Sequence, residues 1–224
     1  MIDQQTITHH IQKHIIDVLM RRKFARFRDM RPPRIDSNAY SYHLTSLLKQ
    51  GYITKADKGY TLSRKGLLYV DRLSVNSLRI RPQPKIITML VVQNSNGDVL
   101  LYKRTKQPHI DTWTLPYGKL HVADESLQHA AKREVKEKLF IQDTISLVHA
   151  GDCYIRVGTH EGVDMGTMAH IFRCESDDIH QSATLQWARP HRLSEYDLAP
   201  AVEEIITRTF FRDPYFFEEY RVLT

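Results

Sequence analysis

The chain has 224 residues, of which 42% are hydrophobic, so it can bury a substantial core in one large domain or two small ones. No apolar run approaches the length of a membrane span, and the polar beginning of the chain does not resemble a signal peptide. We therefore expect a soluble, cytoplasmic protein with no membrane partner.

The net charge of +6 is divided unevenly along the chain. Residues 1–82 contain 16 Lys and Arg and 6 Asp, a net charge of +10, whereas residues 83–224 contain 16 basic and 20 acidic residues, a net charge of −4. A strongly basic segment favours a polyanionic partner, most often nucleic acid. Two prolines, Pro82 and Pro84, interrupt regular structure between the two parts. We predict one domain over residues 1–80 and a second over residues 85–224.

The cysteines and histidines do not indicate a metal or redox motif. Cys153 and Cys174 lie on separate predicted strands without a paired spacing, so we interpret them as buried free thiols. The twelve histidines are scattered. The group His9, His10 and His14 is interpreted as an exposed helix edge and not as a zinc site.

Two helices are predicted at the start of the basic portion. Apolar residues over positions 7–19 recur at helical spacing and predict a core helix. A short second helix is predicted from Phe24, Phe27 and Met30, which are spaced three apart among projecting arginines, and Pro32-Pro33 ends it.

A third helix is predicted to begin at Asp36 and to end at Gly51. Tyr40, Leu44, Leu47 and Leu48 are predicted to form its buried side. The opposite side presents polar groups of the lengths that can reach base edges or phosphates. These groups are Asn38, Ser41, Tyr42, Thr45 and Lys49.

A hairpin and a closing helix complete the basic portion. Two short strands, over residues 51–54 and 59–63, are joined by a connection that carries Lys55 and Lys58. We predict that these lysines and Arg34 contact DNA together with the polar side of the third helix.

These elements resemble the winged helix-turn-helix of bacterial repressors of the ArsR, MarR and PadR types. The run from Ser41 to Ile53 is similar to their recognition-helix segment, and the run from Tyr60 to Gly66 is similar to their wing. The resemblance covers approximately residues 6–75 and implies binding to double-stranded DNA as a homodimer. Winged helices also serve as protein-docking modules, but the charge of +10 favours DNA.

The acidic portion contains a glycine loop followed by a predicted helix over residues 127–139. Inward packing of its apolar residues would leave Glu134, Glu137 and Lys138 on a neighbouring stripe. Two carboxylates one turn apart, beside the backbone of Gly118, could hold a hard divalent cation and through it a phosphate oxygen. The alternative is a solvated helix face with an ordinary ion pair between Glu134 and Lys138.

The order of these residues resembles the Nudix box, in which Gly, five residues, Glu and seven residues precede Arg-Glu, an aliphatic, any residue, Glu-Glu, any residue and Gly. Glu125 is followed after seven residues by Arg133-Glu134-Val135-Lys136-Glu137, and residues 113–119 resemble the lead-in common in the family. The resemblance runs over residues 85–208 and implies an α/β/α sandwich with a mixed sheet, which makes the whole chain α+β. It also implies a nucleoside diphosphate derivative as ligand and Mg²⁺ as cofactor.

The resemblance assigns roles to particular residues. It implies metal ligation by Glu125, Glu134 and Glu137, of which the last two would be catalytic in an active enzyme. The ligand contacts that we predict are Arg104, Trp113, Tyr117, Gly118 and Arg133. For both aromatic residues, packing in the core is the alternative to stacking on a base.

The box departs from the family pattern at three places. The gap from Gly118 to Glu125 is one residue too long, so either the loop bulges or another carboxylate such as Asp124 takes the place of Glu125. Phe140 replaces the family's last glycine. Lys138 replaces the second glutamate of the family's Glu-Glu pair, and its ammonium weakens Mg²⁺ binding. A missing carboxylate could come from later segments that contain Glu161, Glu175 and Asp177.

Three functions are compatible with these features. The leading hypothesis is a DNA-binding transcription regulator whose Nudix-like domain senses a nucleotide-type metabolite with weak or no hydrolase activity. The second is an active magnesium-dependent pyrophosphohydrolase, and the third is a structural interaction protein. Nudix-related repressors of cofactor metabolism combine the same two parts in the opposite order, so their operators and ligands are not transferred. The aromatic run over residues 215–220 is predicted to cover the Nudix domain or to form a dimer seam.

Overall fold

The computed structural model describes residues 7–74, 78, 80, 82–141, 145–159, 162–210 and 215–223, without the side chains of 159 and 162–164. The chain forms two compact units, Met1–Pro82 and Gln83–Thr224. Among the described residues, buried hydrophobic side chains form one core in the first unit and two in the second. No helix in the described ranges is long and apolar enough to cross a lipid bilayer.

The first unit consists of helices followed by a hairpin and a short last helix. Its described elements are α1 (His10–Arg21), a 3-10 turn (Phe27–Met30), α2 (Ser37–Lys49), β1 (Ile53–Ala56), β2 (Gly59–Leu62) and α3 (Arg64–Val70). Apolar side chains of α1 and α2 pack on each other, and Tyr52 and Ile53 of the hairpin segment close this core. β1 and β2 are antiparallel, and Asp57 and Lys58 connect them.

Local signals in the sequence account for most of these elements. The Asp36 carboxylate caps α2 by accepting hydrogen bonds from the amides of Asn38 and Ala39 at 2.7 and 3.1 Å, as predicted. The second predicted helix is wrong in length, since only one 3-10 turn is formed. Met30 anchors that turn in the core, whereas Phe24 lies before it.

The second unit is a mixed sheet with helices on both faces. Its strands are β3 (Lys85–Gln93), β4 (Val99–Lys103), β5 (Trp113–Thr114), β6 (Tyr117–Lys119), β7 (Val148–Thr159), β8 (Gly162–Glu175), β9 (Leu185–Ala188) and β10 (Phe216–Leu223). Its helices are α4 (Leu127–Leu139), a 3-10 segment (Pro190–Glu195) and α5 (Val202–Phe210). The main strand order is β10-β7-β8-β3-β4-β5, with β6 paired to β3 and β9 paired to β4.

The alternation of side chains along β3 explains why helices pack on both faces of the sheet. Successive strand residues point to opposite faces of a sheet. Met89 and Val91 belong to the core that contains α5, whereas Leu90 and Val92 belong to the core that contains α4. The predicted mixed sheet between helices is therefore confirmed.

Two predictions about the later strands need correction or completion. The predicted loop over residues 158–166 is mostly strand, because β7 extends to Thr159 and β8 begins at Gly162. The aromatic run near the end forms β10, which pairs in parallel with β7 and buries Phe216 while Phe217 remains 63% exposed. The run is thus part of this unit's own sheet.

The two cysteines are buried free thiols, as predicted. Burial raises the pKa of both Cys153 and Cys174 to about 12. Neither thiol is a reactive nucleophile at neutral pH.

Candidate functional site

The centre of the candidate site is the Glu134 carboxylate, which lies against the backbone of Gly118. Glu134 is on the sheet-facing side of α4 and is 2% exposed. A Cβ atom on Gly118 would be 1.7 Å from Glu134 Cδ, so only glycine leaves room for this carboxylate. Burial raises the pKa of Glu134, and the nearby Arg133 opposes that shift.

Arg133 connects the loop to the helix. Its guanidinium forms two hydrogen bonds to the Asp124 carboxylate, Nε to Oδ1 at 3.1 Å and Nη2 to Oδ2 at 3.0 Å. Nη2 also donates to the Lys119 carbonyl oxygen at 3.0 Å, and Nη1 donates to Glu134 Oε1 at 2.5 Å. The hydrogen bond from Arg133, followed by one from the His121 amide, lowers the pKa of Asp124 to about 2.

Asp124, and not Glu125, therefore occupies the carboxylate position of the loop. The Asp124 side chain is 4% exposed and paired, whereas Glu125 is exposed. Five residues separate Gly118 from Asp124. The Nudix box pattern has the same spacing between its first glycine and its first glutamate. Of the two alternatives for the long gap, the structure selects the shift to Asp124.

The structure does not gather the predicted metal ligands into one cluster. In the described residues, Glu125, Glu134 and Glu137 do not bring three ligand atoms within 4.8 Å of one another. Glu134 is bound by Arg133, and Glu137 Oε2 lies 3.7 Å from the same guanidinium. A hard divalent cation needs several free oxygens. In this arrangement Arg133 competes with Mg²⁺ for the oxygens of Glu134 and Glu137.

The later carboxylates do not complete the set. Asp177 accepts hydrogen bonds from the Ser95 amide and hydroxyl at 2.8 and 2.9 Å, which ties it to the turn after β3. Glu175 is exposed at the end of β8. Glu161 lies outside the described residues.

Lys138 and Phe140 define the end of α4. The Lys138 ammonium lies 5.4 Å from the centroid of the Tyr102 ring, and the alternative ion pair with Glu134 is not formed. Phe140 follows the helix with φ 58° and ψ 22°, the left-handed conformation that favours glycine. Its side chain is 77% exposed.

A small open cleft of about 100 Å³ lies on the α5 side of the sheet. Arg104 and Tyr117, two of the predicted ligand contacts, line it together with Lys85 and His109. None of the described lining residues is a carboxylate. The cleft therefore has a positive lining that suits an anionic ligand.

β6 connects the cleft to the box. Its neighbouring residues point to opposite faces, Tyr117 into the cleft and Gly118 towards Glu134. The Arg104 guanidinium donates to the Tyr117 hydroxyl and, at 2.8 Å, to the Pro108 carbonyl oxygen. Arg133 and Gly118, also predicted to bind the ligand, lie on the other face.

Trp113 does not line the cleft. It packs against the core next to α5 and makes an edge contact with Tyr196, with ring centroids 6.0 Å apart. Of the two alternatives for this residue, the structure favours packing.

The first unit presents the predicted DNA contacts on its surface. Asn38, Tyr42, Thr45 and Lys49 are exposed on α2, where Tyr42 is 70% exposed, and Ser41 is half-buried. Their spacing places them on one stripe of the helix. Arg34, Lys55 and Lys58 are also exposed, and Lys58 is at the hairpin turn. The surface is thus polar and basic.

One group of polar residues on the second unit was not expected from the sequence. His149, Asp152 and His170 have ligand atoms within 4.8 Å of one another, although the histidines appeared scattered. Strand alternation predicts opposite faces for residues three apart such as His149 and Asp152. A bulge in β7 cancels that alternation.

The second unit matches the model of a known protein family. The family model of the NUDIX domain matches residues 83–213, which is more than half of the 224-residue chain. A search of curated proteins gives no significant match.

Solved structures resemble this unit at low sequence identity. A mutator MutT protein from Bacillus halodurans has a TM-score of 0.50 at 20% identity, over 61% of this chain and 89% of that chain. The NUDIX domain of Shewanella oneidensis NrtR, crystallised with ADP ribose, has a TM-score of 0.49 at 15% identity. This match covers 65% of this chain and 97% of that chain. Shewanella oneidensis NrtR crystallised with a 27mer DNA has a TM-score of 0.48 at 17% identity. This match covers 57% of this chain and 61% of that chain. The first likeness indicates a shared fold.

Proposed function

The chain belongs to the Nudix family, and we propose that it is a transcription regulator that binds DNA and senses a nucleotide-type metabolite, with weak or no hydrolase activity. One observation supports the part of this proposal that concerns weak or absent hydrolase activity. Arg133 binds Glu134 and lies 3.7 Å from Glu137, and Lys138 adds a second positive charge to the same end of α4. These cations compete with a divalent metal for the carboxylates that a hydrolase of this family would use.

The cleft supports an anionic ligand. Lys85 and Arg104 supply positive charge, and a guanidinium suits phosphate oxygens because it can donate two parallel hydrogen bonds. Tyr117 adds an aromatic face. A nucleoside diphosphate derivative combines phosphates with a flat base and fits this lining.

We propose that the first unit is a winged helix-turn-helix, with α2 as the recognition helix and the β1–β2 hairpin as the wing. The net charge of +10 over residues 1–82 supports binding to the phosphate backbone of double-stranded DNA. The exposed polar stripe of α2 supplies side chains for base contacts, with Tyr42 and Thr45 near its middle. A homodimer would place two such helices at half-sites about 34 Å apart.

The alternative is a working magnesium-dependent pyrophosphohydrolase. Its support is the position of Glu134 over Gly118, with Glu137 one turn later and exposed. In that case Glu137→Gln would abolish metal-dependent release of a nucleoside monophosphate.

A paired screen separates the two functions. The full chain is incubated with Mg²⁺ and a panel of nucleoside diphosphate derivatives, including ADP-ribose, and each compound is tested for hydrolysis and for a thermal shift. We expect at least one compound to raise the melting temperature without being hydrolysed, and Arg104→Ala to remove the shift. Lys106→Ala, an exposed change in the same loop, is the control. Rapid hydrolysis that Glu137→Gln abolishes would establish the enzyme instead.

A further inference from the structure

Four polar side chains meet on the second unit away from the box. Asp152 Oδ1 lies 2.9 Å from His149 Nε2 and 2.7 Å from His170 Nδ1, and the Tyr215 hydroxyl donates to Asp152 Oδ2. We call these residues the histidine–aspartate cluster. None of the contacts described for the box or the cleft involves it.

The backbone brings the cluster together by a bulge. In the register of β7 and β8, His149 is opposite Phe172 and Asp152 is opposite His170, with a bulge between His149 and Gly151. A bulge shifts the alternation by one residue. His149 and Asp152, three positions apart, therefore share one face of the sheet.

Tyr215, the residue directly before β10, is the fourth member. A Cβ atom on Gly151 would lie 2.5 Å from Phe216, so glycine is needed for β10 to approach β7 this closely. Phe216 is the register partner of Gly151, and the preceding Tyr215 thereby reaches Asp152. His149 is held from its other side by stacking on Phe172, with ring centroids 4.9 Å apart.

The cluster lies on the same face of the sheet as Glu134 but at a distance from it. Thr88 is the register partner of both Gly118 and His170, so these residues share a face. Two strand spacings separate Gly118 from His170, about 10 Å between their Cα atoms. Glu134 does not belong to the group of ligand atoms that lie within 4.8 Å of one another in the described residues.

We propose that His149, Asp152 and His170 form a binding site for a divalent transition metal of the zinc class. Each offers one ligand atom, and all three atoms lie within 4.8 Å of one another, the only such group among the described residues. Zinc binds imidazole nitrogen and carboxylate oxygen at about 2.0–2.2 Å, so the three atoms need to move apart only slightly to surround it. Each imidazole would bind the ion through the nitrogen that now faces Asp152, His149 Nε2 and His170 Nδ1, and would carry its proton on the other ring nitrogen.

The chemistry of the ligands selects the class of metal. Imidazole suits zinc, copper and nickel, whereas magnesium and calcium prefer oxygen ligands alone. Tyr215 occupies Oδ2 and leaves Oδ1 for the metal, which is the usual arrangement of an outer hydrogen bond to a ligating carboxylate.

The site is open to solvent. Three protein ligands leave a tetrahedral zinc ion with one open position. The side chains of His149, Asp152 and His170 are 32%, 18% and 17% exposed, so solvent reaches the site. The fourth ligand is water or an anion. This site does not depend on the proposed function.

Metal titration of the full chain tests the proposal. Metal-free protein is titrated with Zn²⁺ against a chromophoric chelator and with Co²⁺, whose visible absorption reports a tetrahedral site. We expect one equivalent to bind, with affinity reduced about tenfold or more by His149→Ala, His170→Ala and Asp152→Asn, and reduced less by Tyr215→Phe. Zn²⁺ should also raise the melting temperature of the wild type and not that of the three ligand variants.

Matched controls exclude other metal ligands. His180→Ala removes an exposed histidine outside the cluster, and His9→Ala removes one of the stacked pair His9 and His43 in the first unit. Glu137→Gln alters the box. All three should bind Zn²⁺ as the wild type does. The proposal is wrong if the wild type takes up no stoichiometric Zn²⁺, or if folded His149→Ala and Asp152→Asn proteins bind it unchanged. Circular dichroism verifies folding.

Discussion

The Glu134 carboxylate occupies the space that a side chain on Gly118 would need, with only 1.7 Å between Glu134 Cδ and the position of a Cβ atom on Gly118. The glycine of the loop and the glutamate of α4 are therefore coupled. This contact fixes where the loop meets the helix, and it keeps Glu134 buried beside Arg133.

Gly118→Ala should destabilise the protein by about 1–3 kcal/mol, because the new methyl group must displace the Glu134 carboxylate. The free energy of unfolding in urea measures the loss. In a Glu134→Ala background the methyl group has room, so the same substitution should cost clearly less. Equal costs in the two backgrounds would show that the clash with Glu134 is not the cause.

Asp124→Asn should weaken the protein more at neutral pH than in acid. The folded state holds the pKa of Asp124 at about 2, below its ordinary value of 3.8. Its contribution to stability is thus complete above about pH 4 and is lost as the pH falls towards 2. The difference in unfolding free energy between wild type and Asp124→Asn should shrink over that range.

Glu125→Gln is the matched control for this prediction, since it changes the neighbouring exposed carboxylate. It should alter neither the stability nor its pH dependence. If Glu125→Gln showed the larger effect, the assignment of Asp124 as the partner of Arg133 would be wrong.

Phe140→Gly should stabilise the protein by about 0.5–1 kcal/mol. Phe140 has φ 58°, a left-handed conformation. This conformation is unfavourable for a residue that has a Cβ atom and nearly free of strain for glycine. The ring is 77% exposed and contributes little burial. Phe140→Ala keeps the Cβ atom and should give no gain. Thermal unfolding of the wild type and both variants tests the prediction. Equal melting temperatures for Phe140→Gly and Phe140→Ala would contradict it.

Lys138→Glu should increase the affinity for Mg²⁺ about tenfold or more, because it removes a positive charge and adds a carboxylate near Glu134 and Glu137. Isothermal titration with Mg²⁺ measures the change, and the hydrolysis assay measures any gain in turnover. Lys136→Glu makes the same charge change at an exposed position of α4. If both variants gained equally, net charge alone would explain the effect.

The cap of α2 was predictable because it depends on local signals, whereas the layers of the second unit were predicted from the resemblance to the Nudix family. Asp36 caps α2 through backbone amides two and three residues later, and the alternation along β3 follows from burial on both faces. Such patterns are visible within a few residues.

Features that depend on contacts between distant segments were not predictable in this way. The choice between Asp124 and Glu125 depends on which carboxylate the Arg133 guanidinium reaches. The histidine–aspartate cluster depends on a bulge in β7 and on the pairing of β7 with β8 and β10. Neither the bulge nor the pairing has a signal in the spacing of the residues.

DNA binding tests the central claim most directly. The full chain is mixed with a library of random duplex DNA at about 50 mM salt, where phosphate contacts are strongest, and bound sequences are selected and measured by fluorescence anisotropy. We expect binding that weakens steeply with salt, a selected sequence whose preference is lost in Tyr42→Ala and Thr45→Ala, and a change in its affinity when a nucleotide that binds the Nudix domain is added. Absence of DNA binding at this salt concentration would contradict the account.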